Sequence, residues 1–273
     1  MRLIAVLDEP QTAALTLNTA SQLAERLGGA ELCVFHPIPD TNPDFQSPDE
    51  GLPDPAQQAH FTHMLATRAK AVFQIFETWH TAMPSRAYAH WLEQTGDIRT
   101  LLRHVGATAD FVVLDPTTPT SAQTTRQIFA TALYDMQATV LMAPHTTQAS
   151  FAQHPVVAWQ DTPNLLSAVH SALPLLKTAQ HVTVLVGESH PNATPEPALL
   201  AQLRACGVGV TLERFALTGH SALGGQIRAR AAQAGADLLV MGAYGRPHFV
   251  EWLFGGPTVD LLAHAPWPIL THH

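Results

Sequence analysis

Cysteine and basic side chains are the scarce residues of this chain, and each scarcity removes a class of function. Cys33 and Cys206 are its only cysteines. Far apart in sequence, they supply neither a disulfide framework nor a zinc site, and they read as buried thiols in a reducing compartment. Lys and Arg number 14 against 22 Asp and Glu, for a net charge of -8 and a pI near 6.0. A protein that tracks nucleic-acid phosphates draws its affinity from clustered cations, and here they are few and dispersed. Long hydrophobic runs are also missing. No segment approaches the ~20 residues of a membrane span, and the apolar run after Met1 is ended by Asp8-Glu9 before it has the length of a signal peptide. The expectation is a cytoplasmic protein with neither nucleic acid nor membrane among its partners.

What the chain does have is core material. Its 273 residues, 46% hydrophobic and 13% charged, suffice for one large core or two domains of ordinary size. Comparison of the chain with itself favours two. Thr95-Gly96-Asp97 opens a helical stretch that leads into Ala109-Asp110-Phe111-Val112-Val113-Leu114. Thr218-Gly219-His220 opens a second one that leads into Ala236-Asp237-Leu238-Leu239-Val240-Met241. The segments 132–142 and 261–271 match as closing pieces. The expected boundary separates a first domain, 1–148, from a second, 149–273.

Strands and helices alternate in both. In the first, Leu3 to Leu7 and Glu31 to His36 read as strands around a helix from Thr12 to Leu27, stopped by Gly28-Gly29. Pro37 to Pro55 is rich in Pro, Asp and Asn and reads as a long exposed loop. A helix from about Gln57 to Met83 and a strand over 87–92 follow. In the second, strands are expected over 156–159, 182–186 and 208–215, with helices over 164–176 and 197–206. This alternation predicts an α/β fold: two tandem domains, each a mostly parallel five-stranded sheet flanked by helices, with ligands outside the carboxyl ends of the strands.

One stretch carries more chemistry than the rest. The buried-strand run Leu238 to Met241 leads into Gly242-Ala243-Tyr244-Gly245, and after nine further residues comes Gly255-Gly256-Pro257-Thr258, a helix start. A strand, a glycine-bearing loop and a helix N-terminus offer backbone N–H groups and a positive dipole end to phosphate, without the Lys of a P-loop. Turn and cap duty is the other reading of these glycines. Arg246 and His248 serve either as phosphate-attracting charge or as a solvated rim. Pro257 suits the first helical position but removes one N–H.

These residues, with Val157-Ala158-Trp159, resemble the universal stress protein family, and the resemblance extends over nearly the whole chain as a tandem form with two fused domains. It implies an adenine nucleotide alpha hydrolase-like fold and a stress-response regulatory module that binds ATP or another adenine nucleotide at the second domain. The site residues implied are Gly242, Gly245, Arg246, Gly255, Gly256 and Thr258, with Gln160 and Asp161 near ribose or adenine. Asp161-Thr162 also reads simply as a cap on the next helix. The family normally has Ser or Thr directly after the last glycine, where this chain has Gly256.

The first domain keeps the frame without the glycines. Asp115-Pro116-Thr117-Thr118-Pro119 stands where Gly242 to Gly245 stand in the second; a carboxylate repels phosphate and the prolines remove donors. Asp8 ends its first strand, where the family often has an Asp near the nucleotide. Single-domain members commonly dimerise through the terminal strand, so a fused pair is expected to form that dimer within one chain, with a homodimer of the whole as a further possibility. No protein partner can be named.

Other chemistries find little support. The 16 histidines include His60 and His63 at close helical spacing, but no ligand pattern surrounds them, so no metal is expected; His272-His273 reads as a frayed end. There is no Gly-x-Ser-x-Gly elbow and no Gly-x-Gly-x-x-Gly after the first strand. No catalytic base can be named, which points away from an enzyme. The alternatives to nucleotide binding are a nucleotide-free interaction scaffold and, third, a slow ATPase.

Overall fold

The computed structural model describes residues 1–41, 54–82, 88–117, 121–190, 194–218, 223–243 and 257–273, with side chains in the last span from Asp260 onward. In chain order the elements are β1 (Arg2–Val6), α1 (Pro10–Arg26), β2 (Glu31–Pro39), α2 (Pro55–Thr81), β3 (Ala89–Gly96), α3 (Ile98–Gly106), β4 (Phe111–Leu114), α4 (Gln123–Ala130) running into a π turn (Thr131–Asp135), and β5 (Val140–Met142). The second series is β6 (Pro155–Trp159), α5 (Pro163–Leu176), β7 (His181–Glu188), α6 (Ala198–Ala205), β8 (Gly209–Ala216), α7 (Leu223–Gln233), β9 (Leu238–Gly242), α8 (Pro257–His264) and β10 (Ile269–His272).

All ten strands form one sheet in the order β3-β2-β1-β4-β5-β10-β9-β6-β7-β8. Outward from the centre, β5-β4-β1-β2-β3 and β10-β9-β6-β7-β8 are the same order written twice. Pairing within each wing is parallel, and the wings meet where β5 and β10 run antiparallel, Leu270 opposite Leu141. The terminal strands of the two halves therefore lie side by side, as the repeat predicts.

Alternation along the strands builds two cores, one on each face. Leu3, Ala5 and Leu7 of the β1 region pack on one side with Val113, Leu141, Leu270, Val240 and Val157. Ile4 and Val6 pack on the other with Val112, Val140, Ile269, Leu239 and Met241. Both clusters cross the β5–β10 seam, so the wings share their cores. Strands buried on both faces must be apolar throughout, which is why β4 reads Phe-Val-Val-Leu.

Two expectations are corrected. The strand β2 continues through Pro37 and Pro39, where the sequence suggests a loop. Leu32 and Asp40 donate their N–H groups toward β3 (to Tyr88 O and Gly96 O), whereas Phe35 faces β1, accepting from Leu7 N. Odd positions thus face the β1 side, where β1 has already ended, and two prolines there forfeit no ladder bond. The thiols are not both buried either: Cys33 is half-buried on β2, its pKa pushed up to about 11 chiefly by burial, and Cys206 is exposed at the end of α6. The turn that follows α6 runs through Gly207 and leaves that side chain outside the packed interior.

Candidate functional site

In each wing the direction of winding reverses between the first and fourth strands, β1/β4 and β6/β9. The carboxyl ends there open a crevice that suits a ligand. In the first wing the crevice is filled by side chains. Helix α1 starts with Pro10, and Glu9 at its N-cap makes no side-chain cap bond. The N–H groups of this corner turn instead to Asp115, directly after β4. One Asp115 oxygen, Oδ2, accepts from Asp8 N at 3.0 Å and Glu9 N at 3.3 Å, and Oδ1 accepts from the Thr16 hydroxyl of α1. Asp8 Oδ2 accepts from Thr125 Oγ1 of α4 at 2.6 Å. Arg68 reaches in from α2, its Nη1 3.4 Å from Asp8 Oδ1 and 3.6 Å from Glu9 Oε1.

Asp8 and Asp115 are buried, 1% and 4% exposed. Burial pushes the Asp115 carboxyl up to about 6, against the pull of the Thr16 and Asp8 N–H hydrogen bonds and with the Asp8 charge adding to the rise. Glu9 is likewise raised, by burial first and by Asp8 second. Beside them on β2, His36 is fully buried with Nδ1 2.7 Å from Leu7 O, a contact that requires its proton on Nδ1. Burial holds its pKa below the ordinary value. A crevice packed this way presents anionic side chains where a phosphate would enter.

The second wing treats the same place with backbone. Gly242 ends β9, and a Cβ there would lie 2.8 Å from the backbone N of Leu165 in the first turn of α5. Glycine therefore lets helix and strand approach closely. Asn164, one residue earlier, donates from Nδ2 to Ala243 O at 2.8 Å, tying the outgoing end of β9 to the start of α5. Gln160 and Asp161 are exposed at the β6–α5 corner, and the cap on α5 is Thr162, whose hydroxyl accepts from Leu165 N at 3.3 Å. The structure thus gathers Gly242, Gln160 and Asp161 at one end of the sheet around the first turn of α5. Gly245, Arg246, Gly255 and Gly256 lie outside the described residues. Thr258 falls in the first turn of α8, which begins at Pro257 where the sequence places a helix start.

Several contributors escape sequence reasoning. Arg68 comes from a helix about 60 residues downstream of Asp8 with no local pattern to mark it. Thr16 and Thr125 are polar positions on buried helix faces, the one signal available for them. The terminal histidines are not frayed: Ala243 N donates to His272 O at 3.0 Å within the sheet, and the His273 ring meets Tyr134 of the first wing edge-on, centroids 4.7 Å apart. Central pairing of β10 on both sides holds them there. In the second wing Glu188, buried at the end of β7, pairs with Arg214 and accepts from Thr194 N at 3.1 Å. Among the described residues no group of His, Cys, Asp and Glu is placed to hold a metal ion, and no helix is long and apolar enough to cross a membrane.

Comparison with known proteins agrees with this architecture. Residues 198–273 match the Universal stress protein family. The whole fold is similar to a universal stress protein from Archaeoglobus fulgidus (TM-score 0.70, 15% identity, 98% of this chain and 94% of that one). It is also similar to a putative universal stress protein from Pseudomonas aeruginosa UCBPP-PA14 (TM-score 0.52, 12% identity, 98% and 91%). No curated protein matches the sequence significantly.

Proposed function

From the match of residues 198–273 to the universal stress protein family and the similar fold of the whole, we propose that this chain is a member of that family, a fused pair whose second half alone takes an adenine nucleotide. Family membership supports a stress-response role. The observation that carries the finer reading is the asymmetry of the two switch points. The first is occupied by Asp115 and its partners, whereas the second ends in glycine with Gln160 and Asp161 exposed at its rim. In this reading the phosphates lie along the segment from Gly242 through Gly245 and Arg246 to Gly255, Gly256 and Thr258, and Gln160 or Asp161 meets the ribose or adenine.

The bound nucleotide marks a state and is not a substrate in steady turnover, because the segment holds no P-loop Lys and no evident base to activate water. To matter, it must bind two conformations or two partner-bound states with different affinity. The loss of Ser or Thr at Gly256 and of an N–H at Pro257 favours a second reading, a scaffold that binds no nucleotide. Calorimetric titration of ATP into the wild type, Gly245→Val and Thr118→Val separates them. Binding lost in Gly245→Val and kept in Thr118→Val is the expected result; no heat in the wild type selects the scaffold. Phosphate release at the roughly 1 s⁻¹ or faster of ordinary enzymes, lost in Gly245→Val, would instead establish an ATPase.

A further inference from the structure

We propose that Asp8, Glu9, Asp115 and Arg68 form a proton-operated latch in the first half, one that acidification closes and neutral conditions strain. The inference is independent of nucleotide binding in the second half. Its basis is a charge imbalance in a buried place. Three carboxylates converge on the β1–β4 corner, and among the described residues the one cation within ion-pair distance of them is Arg68. Thr16 and Thr125 face the cluster from α1 and α4, and His36 faces it from β2, with Glu93 of β3 behind it.

The corner is also incompletely satisfied. Among the described residues, Arg68 Nε and Nη2 and His36 Nε2 are buried without hydrogen-bond partners, and Asp8 Oδ1 has only its 3.4 Å ion contact with Arg68 Nη1. Orphaned polar atoms at this density mark a site that changes state or admits small polar species. With every carboxylate ionised and His36 neutral, the described groups of the corner carry two more negative charges than positive ones, with Asp8 and Asp115 buried and Glu9 partly solvated, and a single bound proton halves that excess.

Asp115 has the geometry to take that proton. In the ionised form Thr16 donates its hydroxyl hydrogen to Asp115 Oδ1. Once Oδ1 is protonated the bond reverses: the acid donates to Thr16 Oγ1, and the threonine hydrogen turns to Thr12 O, 3.3 Å away. Oδ2 keeps the N–H groups of Asp8 and Glu9. No bond is lost and one buried charge is removed, so the corner that joins α1 to the ends of β1 and β4 is relieved of the repulsion between Asp115 and Asp8.

The direction of the linkage follows. The Asp115 carboxyl lies at about 6 in the folded chain against an ordinary 3.8, so the folded protein holds the proton roughly a hundredfold more tightly than the unfolded one. That stabilisation is complete below the unfolded value and disappears as pH rises through about 6. His36, whose pKa is lowered by burial, acts oppositely: its contribution is present at neutral pH and lost on acidification.

Asp115→Asn separates the two, because the amide reproduces the protonated acid's bonds and leaves His36 in place. Thermal midpoints of the full chain are measured from pH 4.5 to 8 for wild type and variant. The variant is expected to melt higher at pH 7.5, by roughly 5 °C, with the gap closing toward pH 4.5. Carbon-13 spectra of the wild type, with Asp115 assigned through its own side-chain carbons, are expected to show its carboxyl titrating near pH 6. An Asp115 carboxyl that titrates below pH 5, or midpoints with the same pH dependence in both proteins, overturns the proposal. The spectra decide it even if the variant fails to fold.

Discussion

At the point where the winding reverses, the two halves solve one structural problem with opposite chemistry. The first half joins strand end to helix start through side chains: Asp115 gathers Asp8 N, Glu9 N and Thr16, and Arg68 and Thr125 hold Asp8. The second joins them through backbone, glycine at 242 allowing Leu165 close and Asn164 clasping Ala243 O. A carboxylate-filled corner specifies its own geometry and repels anions by its charge. A shared strand order thus need not bring shared strand ends, since apolar runs set the frame and a few residues beyond them set the chemistry of each corner.

The largest expected effect removes the one cation that, among the described residues, balances the first corner. Arg68→Met leaves Asp8, 1% exposed, facing no guanidinium, and breaking a buried pair by deleting one partner costs about 3–5 kcal/mol. The matched change in the second half, Arg228→Met, breaks an ion pair with Asp260 whose side chains are 32% and 35% exposed, worth at most about 1 kcal/mol. Urea unfolding at pH 7.5 compares them; equal losses would mean that the first corner is not organised by charge. Part of the Arg68→Met loss should return at pH 5, since Asp115 with its folded value near 6 then carries a proton.

Next in size is Gly242→Val. A Cβ would press on the Leu165 backbone at 2.8 Å, and backbone cannot swing aside as a side chain does, so strain of about 3 kcal/mol is expected. At Gly187 the nearest atom to an added Cβ is the Leu217 Cδ2 at 2.6 Å, the movable tip of a side chain, and Gly187→Ala should cost well under half as much. Denaturant midpoints for the two variants test whether the second corner depends on close backbone approach.

The frame was legible in the sequence because its signals are local and periodic. Apolar runs such as Val112 to Leu114 and Leu238 to Met241, with Gly28-Gly29 as a stop, place most elements within a few residues. That the terminal strands lie close together was anticipated from the matching closing segments and the family resemblance, whereas their antiparallel pairing comes from the structure. Prolines at 37 and 39 misled, because strand geometry tolerates them where one edge has lost its neighbour, a fact of topology and not of composition. The first corner was half legible: Asp115 stood out as a departure from the repeat and Asp8 as the Asp that the family often has there, but nothing near Arg68 or His36 announces that they meet them. Gly242 was read for a ligand, and its close approach to Leu165 is a tertiary contact that no spacing rule reveals.

The smallest effect concerns who caps α5, a question the sequence left between Asp161 as a ligand group and Asp161-Thr162 as a cap. Thr162 sits at the N-cap with extended backbone and accepts from Leu165 N, and Pro163 at the first helical position fixes the entry. Thr162→Ala removes the acceptor and should cost about 1 kcal/mol. Asp161, exposed and one residue outside the helix, should tolerate Ala within about 0.5 kcal/mol. Thermal unfolding of both variants without nucleotide gives the stability terms, and calorimetry with ATP then isolates binding. If Asp161→Ala is neutral to stability yet weakens ATP, the residue belongs to the ligand side of the second corner. If it destabilises as much as Thr162→Ala, capping explains it, and the proposed contrast between a filled first crevice and a receptive second one loses its support at this residue.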